Sequence, residues 1–330
     1  MDESFGGGTT AVARAHSNIA LVKYWGKRDA VLNTPAVGSI SVTLDALHTD
    51  TRVTFRTDLG DDEFLLDGRR GDVTRVSRVL DLVRERAGHG QRALVSSTNN
   101  FPTGAGLASS ASGFAALATA AAGAAGLALS DRELSILARQ GSGSAARSIF
   151  GGFAEMHSGV AADGSDSYAE QLLDSSEWPL SVAVAITERG QKSINSTVGM
   201  VESAATSPFY SAWLDSAGDD LVEMRAAIAA RDFARLGELS EYNCLKLHAL
   251  MLSTRPALIY WNAATVAAMH AVRDLRGQGV AAYFTIDAGP QVKVLSLPAD
   301  AAAVQAALAN VPGVLEVRGS ALGLGAHRLE

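Results

Sequence analysis

The sequence predicts an α+β protein built as two domains, and three observations carry that expectation. A chain of 330 residues corresponds to roughly two domains of ~150 residues each. Strand-like runs and helical segments follow one another irregularly, without the strict strand–helix alternation of a doubly wound parallel sheet. Late in the chain, two apolar runs flank the tight turn Ala288-Gly289-Pro290 as the arms of a hairpin do. A hydrophobic fraction of 47% against 19% charged residues supplies a sizeable core and argues against disorder.

The first domain is expected over residues 11–179 and the second over 180–330. The opening MDESFGGGTT is acidic and Gly-rich and lacks the basic and apolar regions of a signal peptide, so it reads as a loose tail. Residues 52–57 and 63–69 alternate as a pair of strands. Over 73–88, Val76, Val79, Leu80 and Val83 have helical spacing, with Gly88 as the stop. Residues 92–98 read as a strand feeding a Gly-rich loop, and an Ala-rich helical segment runs from Phe114 to about Gly126. Ser130 and Glu133 have the spacing of a capping box and open a helix to about Gln140. GSGSAARSIFGG is a second turn-to-helix segment, and the polar stretch 163–178 reads as a surface hairpin or linker. In the second half a strand is expected at 181–187, with helices around 207–230, 231–253 and 256–276, the last starting after Pro256. The hairpin 281–287/291–297, a helix at 299–310 and a strand at 314–320 complete the chain.

Composition excludes several functions. A net charge of −7 argues against a nucleic-acid binder but leaves room for a local basic pocket that takes an anionic small ligand. Cys244 is the single cysteine, so no internal disulfide forms and a cytoplasmic setting fits; within CLKLHAL it reads as a small buried hydrophobe. No apolar run reaches the ~18 residues of a membrane span. The seven histidines show no HExxH spacing, no GxSxG elbow is present, and His248 reads as a core or cleft residue within a helix.

Five segments can carry chemistry. In NNFPTGAGLASSASG, residues 99–113, Gly104 and Gly106 let backbone approach a phosphate, and the helix start adds N–H groups and a favourable dipole. Ser109, Ser110 and Ser112 offer hydroxyls to phosphate oxygens or magnesium. The competing reading is a turn that caps a buried Ala-rich helix, and the Gly-Lys-Ser/Thr ending of a Walker loop is missing. HSNIALVKYWGKRD, residues 16–29, sets Lys23, Lys27 and Arg28 beside Tyr24 and Trp25, as an amphipathic strand with snorkelling lysines or as the wall of an anion pocket. Ser142, Ser144 and Arg147 form either a helix cap with a surface arginine or a site for bidentate contact with a carboxylate or phosphate. Asp287, ending an apolar strand, is a turn former or a base aimed into a cleft. In QKSINSTVGM, Lys192, Ser196 and Thr197 follow a strand and offer donors to an anion.

Taken together, and in this order, NIALVKYWGKRD, SISVTLD, PTGAGLASSASGFAAL, GSGSAARSIFGG and IDAGPQVKVL resemble the mevalonate diphosphate decarboxylase family of the GHMP kinase superfamily. LKLHAL…STRPALIYWN resembles that family's helix pair, and the resemblance spans nearly the whole chain. It implies an N-terminal α/β domain and a C-terminal ferredoxin-like domain around a deep cleft. It also implies ATP-dependent decarboxylation of mevalonate 5-diphosphate to isopentenyl diphosphate, with ATP and Mg2+ and as a cytoplasmic homodimer. By the same resemblance, Pro102, Gly104, Ala105, Gly106, Ser109, Ser110 and Ser112 form the ATP phosphate loop, Asp287 is the catalytic aspartate, and Lys23 lies beside the reacting centre. Tyr24, Trp25, Gly26, Lys27, Ser142, Gly143, Ser144 and Arg147 match substrate-binding residues. Ser196 and Thr197 match the diphosphate site, with Arg75, against its competitor Arg78, as a diphosphate-binding arginine. Two departures stand out: Pro35-Ala36-Val37-Gly38-Ser39-Ile40-Ser41 replaces a PTNSSIS-like run, and Ser193 stands where an acidic residue often follows the lysine. They bear on the choice between the diphosphate and the monophosphate and leave the reaction class intact; a separate rival reading is a kinase of the same superfamily that phosphorylates the 3-hydroxyl without decarboxylation.

Overall fold

The computed structural model describes residues 9–102, 106–190 and 194–330. The chain begins with β1 (Thr9–Val22), β2 (Lys27–Asp29), β3 (Thr34–Pro35), β4 (Ser39–Arg56), β5 (Glu63–Leu66) and β6 (Arg69–Arg70). It continues through α1 (Thr74–Ala87), β7 (Arg92–Asn99), α2 (Ser109–Ala124), α3 (Asp131–Gly141), a 3-10 helix (Gly143–Ile149), β8 (Phe153–Met156) and β9 (Ala169–Leu173). The second half comprises β10 (Ser181–Ile186), α4 (Ser196–Thr206), α5 (Tyr210–Ala230), α6 (Phe233–Leu252), α7 (Ala263–Gly277), β11 (Ala282–Ile286) and β12 (Val292–Ser296). A 3-10 turn (Pro298–Asp300), α8 (Ala301–Ala309), β13 (Glu316–Ala321) and β14 (His327–Leu329) end it.

Two sheets organise these elements. The eight-stranded sheet runs β14-β1-β4-β7-β5-β6, with β8 and then β9 joining along the other half of β4; the four-stranded sheet runs β11-β12-β10-β13. Among the described residues, β5 on β7 is the one parallel pairing between named strands, which makes this an α+β fold as expected.

Helices α1, α2 and α3 cover one face of the large sheet through a core that includes Val79, Leu80, Leu117 and Leu137. The alanines of α2 let it lie flat on the sheet. A Cβ at Gly123 would come within 3.2 Å of the Ala11 side chain, and a helix buried nearly all round needs no polar face. Between the two sheets a second core joins Leu21, Ile40 and Phe153 to Leu236 and Leu295, with α5 and α6 wedged in. Helices α7 and α8 close the far side of the small sheet over Val272, Val294 and Val304. The inner half of β1 is therefore covered on both faces, and its last eight residues are all buried.

Local signals behave as their chemistry dictates. Gly88 adopts φ 69° and ends α1; Ser130 and Glu133 complete their capping box; β11 and β12 form the expected hairpin. Other expectations are corrected. β4 and β5 do not pair with each other, because β7 lies between them. The Ala-rich helix starts at Ser109 rather than Phe114. The stretch 163–178 is not a linker: it contains β9, which extends the large sheet, and its Ala169 and Trp178 are buried. The helix expected after Pro256 begins at Ala263, where Asn262 supplies a capping box. The segment around Ser196 is helix α4, capped by Asn195. The last strand, β14, returns to pair with β1 in the large sheet.

Candidate active site

Lys23 leaves the buried end of β1 with 2% of its side chain exposed. A buried ammonium must be paired, and its Nζ donates to Ala20 O at 2.8 Å and to Asp287 Oδ1 at 2.7 Å. Its backbone N–H donates to Asn243 Oδ1 of α6 at 2.7 Å, and Asn243 Nδ2 donates to Asp220 Oδ2 of α5 at 2.6 Å. Asp287 stands at the turn after β11. The tight turn is closed by backbone, with Gly289 N–H donating to Asp287 O at 2.7 Å, so the side chain is left for the crevice. Lys293 of β12 pairs with Oδ2 at 3.1 Å. Burial pushes the Asp287 carboxyl up, but Lys23 and Lys293 outweigh it and hold the group well below the usual carboxylate range. Asp287 is an ionised carboxylate held between two ammonium groups, Lys23 at Oδ1 and Lys293 at Oδ2.

This pair borders a cavity of about 720 Å³ between the domains. Tyr24, Trp25 and Lys27 line one wall, and Arg75 and Arg78 on α1 stand across it. Lys27 is held below its ordinary value by burial and by the two arginines. Three cations therefore gather there, with Asp72 as the carboxylate that acts on Arg75. An excess of positive charge is the electrostatics of an anion site. Arg75 is seated over Phe114 at 4.5 Å and donates through Nε to Gly141 O at 3.1 Å. Arg28 turns away and donates to the carbonyls of Gly159 and Ala161. Gly26 does not line the cavity; its φ of 97° turns the chain between Trp25 and Lys27, and a Cβ there would lie 2.2 Å from Tyr210 Oη.

Ser142, Gly143, Ser144 and Arg147 line the cavity together. In a 3-10 helix residues three apart eclipse one another, which sets Arg147 behind Ser144. Arg147 is 2% exposed and donates to Ser39 Oγ at 2.6 Å and Asn18 Oδ1 at 3.0 Å. Its Nε, like Trp25 Nε1, is buried without a hydrogen-bond partner among the described residues. Burial brings Arg147 down to about 10, against the pull of Asp287 and Tyr24, so it stays cationic at neutral pH. Tyr24 is pushed up to about 12 by burial and remains a neutral phenol.

Gly106, Ser109 and Ser110 border the same cavity at the start of α2, whose N-cap, Ala108, sits at φ 58° and offers no side-chain cap. Ser112 lies behind them, fully buried and hydrogen-bonded to Thr49 Oγ1 at 2.7 Å. Pro102 is outside the lining, and Gly104, Ala105 and Lys192 fall outside the described residues. Ser196 and Thr197, in the first turn of α4, complete the wall. On the other side of Ser109 and Ser110 a cavity of about 290 Å³ is lined by Phe64, Leu66, Val95 and Phe114. Among the described residues no group of three or more His, Cys, Asp or Glu side chains is placed to hold a metal ion.

Sequence reasoning missed Lys293, Asn18 and Asn243, and ranked Arg78 second. A lone lysine in QVKVLSL and an asparagine in the apolar strand NIALV were the available signals. Cys244 and His248 are core residues, as read. Burial raises the thiol to about 11 and lowers the imidazole to about 3, and Trp261 Nε1 donates to His248 Nε2 at 3.3 Å.

A loop-to-helix cradle in one domain facing a lysine–carboxylate pair at the junction with the other defines a two-domain protein of the GHMP type. Residues 15–169 match the diphosphomevalonate decarboxylase-like N-terminal domain, and residues 182–317 match the mevalonate 5-diphosphate decarboxylase C-terminal domain. The human diphosphomevalonate decarboxylase is 39% identical over 85% of this chain and 75% of its own length. The solved mevalonate diphosphate decarboxylase of Staphylococcus aureus is 40% identical, with a TM-score of 0.92 over 98% of this chain and 99% of that one. A structure in complex with MVAPP, AMPPCP and magnesium is 41% identical, with a TM-score of 0.90 over 98% and 100%. The chain belongs to the mevalonate diphosphate decarboxylase family, whose members are ATP-dependent carboxy-lyases.

Proposed function

We propose that the crevice turns mevalonate 5-diphosphate and ATP into isopentenyl diphosphate, ADP, phosphate and CO2, with Asp287 as the base. The observation that carries this reading is the Lys23–Asp287 pair, at 2.7 Å, on the rim of a cavity walled by cations. Hydroxide is a poor leaving group, so the 3-hydroxyl must first become a phosphate ester. Its oxygen attacks the γ-phosphorus, its proton passes to the carboxylate of Asp287, and ADP departs. The C3–O bond then breaks with its electrons leaving on phosphate. The electrons of the bond to the carboxylate carbon form the alkene as CO2 departs. Once that proton has passed on to the departing phosphate, the re-ionised Asp287 stabilises the positive character that builds at C3.

The remaining residues bind and align, which is most of what phosphoryl transfer requires. Arg147, with Ser142, Gly143 and Ser144, takes the substrate carboxylate. Tyr24, Trp25 and Lys27, with Arg75, Arg78, Ser196 and Thr197, take the diphosphate tail. Gly106, Ser109 and Ser110 hold the ATP phosphates, and the apolar cavity behind those serines suits the nucleoside. Mg2+ carried in with the nucleotide would be held by phosphate oxygens, water and the hydroxyls of Ser109 and Ser110, and would neutralise phosphate charge. The domains divide at residues 11–179 and 180–330, with β14 crossing back to the first. A cytoplasmic homodimer accords with a single buried thiol and with the family resemblance.

Three cations at one end of the cavity favour a diphosphate over a monophosphate. The test is a steady-state assay with ATP and each phosphorylated mevalonate, following ADP and CO2 together. Equal release of both products with the diphosphate is expected; ADP without CO2 would leave a 3-kinase, and a preference for the monophosphate would reassign the substrate.

A further inference from the structure

The chemistry above pairs Asp287 with one lysine, yet two lysines flank that carboxylate. Lys293 has 1% of its side chain exposed and is not among the residues lining the cavity. Along β12 its neighbours Val292 and Val294 point into the core beneath α7 and α8. The alternation of a strand turns Lys293 to the opposite face, toward the first domain. There its Nζ donates to Gly106 O, on the helix side of the phosphate loop, at 3.0 Å, and stands 3.1 Å from Asp287 Oδ2. Lys23 meanwhile holds Oδ1. One carboxylate is thus bracketed by two ammonium groups, one to each oxygen. The second of them donates to the loop and ion-pairs with the aspartate at once. Loop and turn also touch directly, since a Cβ on Gly106 would come within 3.2 Å of Gly289 Cα.

We propose that Lys293 is a positioning residue that couples the phosphate loop to the base: it anchors Gly106 where the nucleotide docks and keeps Asp287 ionised beside it. Apolar side chains would fill this core position without the desolvation cost of an ammonium, so its retention calls for a role that charge alone supplies. The other groups facing Asp287 do not replace it. Lys23 is committed to Oδ1, Arg147 donates to Ser39 and Asn18, and His248 and Cys244 of α6 are neutral near pH 7.

The proposal rests on Asp287 being the base, and two substitutions separate its parts. Lys293→Met removes both the hydrogen bond and the charge. The KM for ATP should rise about tenfold, as for loss of one charge-assisted hydrogen bond. The acid limb of kcat/KM should move up by about 1–3 pH units, because one of two cations stabilising the carboxylate is gone. Lys293→Gln keeps a donor for Gly106, so the acid limb should move while the KM for ATP stays near the wild-type value. If the Met chain does not fold, the Gln chain still reads the acid limb. A folded Met variant with wild-type ATP KM and wild-type acid limb overturns the proposal, as does an unmoved acid limb in the folded Gln variant. Asp287→Asn run alongside keeps the failures apart. Full turnover in the folded Asp287→Asn chain would sink the base assignment itself, whereas an inactive Asp287→Asn chain beside an unaltered Lys293→Met chain removes only the role of Lys293.

Discussion

Lys23 and Asp287 are 264 positions apart in the chain and 2.7 Å apart in the folded protein. One directly follows β1 of the first domain, and the other directly follows β11, the strand opening the hairpin of the second. The ion pair therefore forms only when the two domains are seated on each other, and the proposed base is set by the same packing that creates the cleft. Charge-paired and ionised, Asp287 can accept a proton without first losing one.

Asp287→Asn tests that role. The amide keeps the shape of the carboxylate but accepts no proton and leaves two buried lysines without their anion. Turnover should fall by at least about 10²-fold, the low end of what a positioned base supplies, while the binding of mevalonate diphosphate is nearly unchanged. Melting temperature should fall as well, since the lysines lose their partner. Near-normal turnover in a folded variant would remove Asp287 from the reaction.

Arg147→Ala should act on substrate affinity. Loss of a charged hydrogen bond to the substrate carboxylate weakens binding by about 1.5–3 kcal/mol, or roughly 10–100-fold. The same change leaves Ser39 Oγ and Asn18 Oδ1 without their donor, so a lower melting temperature accompanies it. Arg147→Lys keeps a cation while losing the planar fork, and calorimetric titration of mevalonate diphosphate should place it between the two. Unchanged affinity in Arg147→Ala would end the carboxylate assignment.

Gly26 carries a prediction about backbone. At φ 97° an L side chain is strained, and a Cβ would meet Tyr210 Oη at 2.2 Å. Gly26→Ala should therefore cost about 1–3 kcal/mol of stability and displace Lys27 from the cavity wall, raising the KM for substrate. Adding Tyr210→Phe removes the oxygen but not the strain, so thermal unfolding of the double variant should show partial recovery. Full recovery would mean that the clash alone mattered.

What was legible in the sequence was what short-range chemistry decides. Gly88 ends a helix because a left-handed residue is needed there, Ser130 and Glu133 satisfy each other's backbone, and Ala288-Gly289-Pro290 turns a hairpin. The clusters that line the cavity were legible too, since Lys27, Ser144 and Arg147 are polar groups crowded among apolar or small neighbours. Pairing between distant strands was not. Residues 52–57 and 63–69 both alternate correctly, but nothing local says that β7 will slot between them or that β14 will return to β1. Lys293 escaped for a related reason: a lysine within an apolar strand acquires its meaning only from Gly106, on another domain. Helix α4 was hidden by its weak amphipathic pattern, although Asn195 carried the cap that starts it.

His248 gives the chain a predictable response to acid. Burial, with Lys23 acting in the same direction, lowers its imidazole to about 3, and the lone pair on Nε2 accepts from Trp261. Burial likewise lowers His16 and His48. In the unfolded chain such groups take up protons near pH ~6.5. Below that pH the unfolded state binds more protons than the folded one, so stability falls as pH falls. The paired carboxylates Asp50 and Asp62, also lowered, contribute in the same direction only below about pH 3.9. Between roughly pH 6.5 and 4 the histidines dominate this loss. Melting temperature should decline across that window, and more shallowly in His248→Gln, whose amide oxygen can accept from Trp261 but takes up no proton. Wild-type and His248→Gln melting curves that decline in parallel would show that His248 contributes nothing to the acid response.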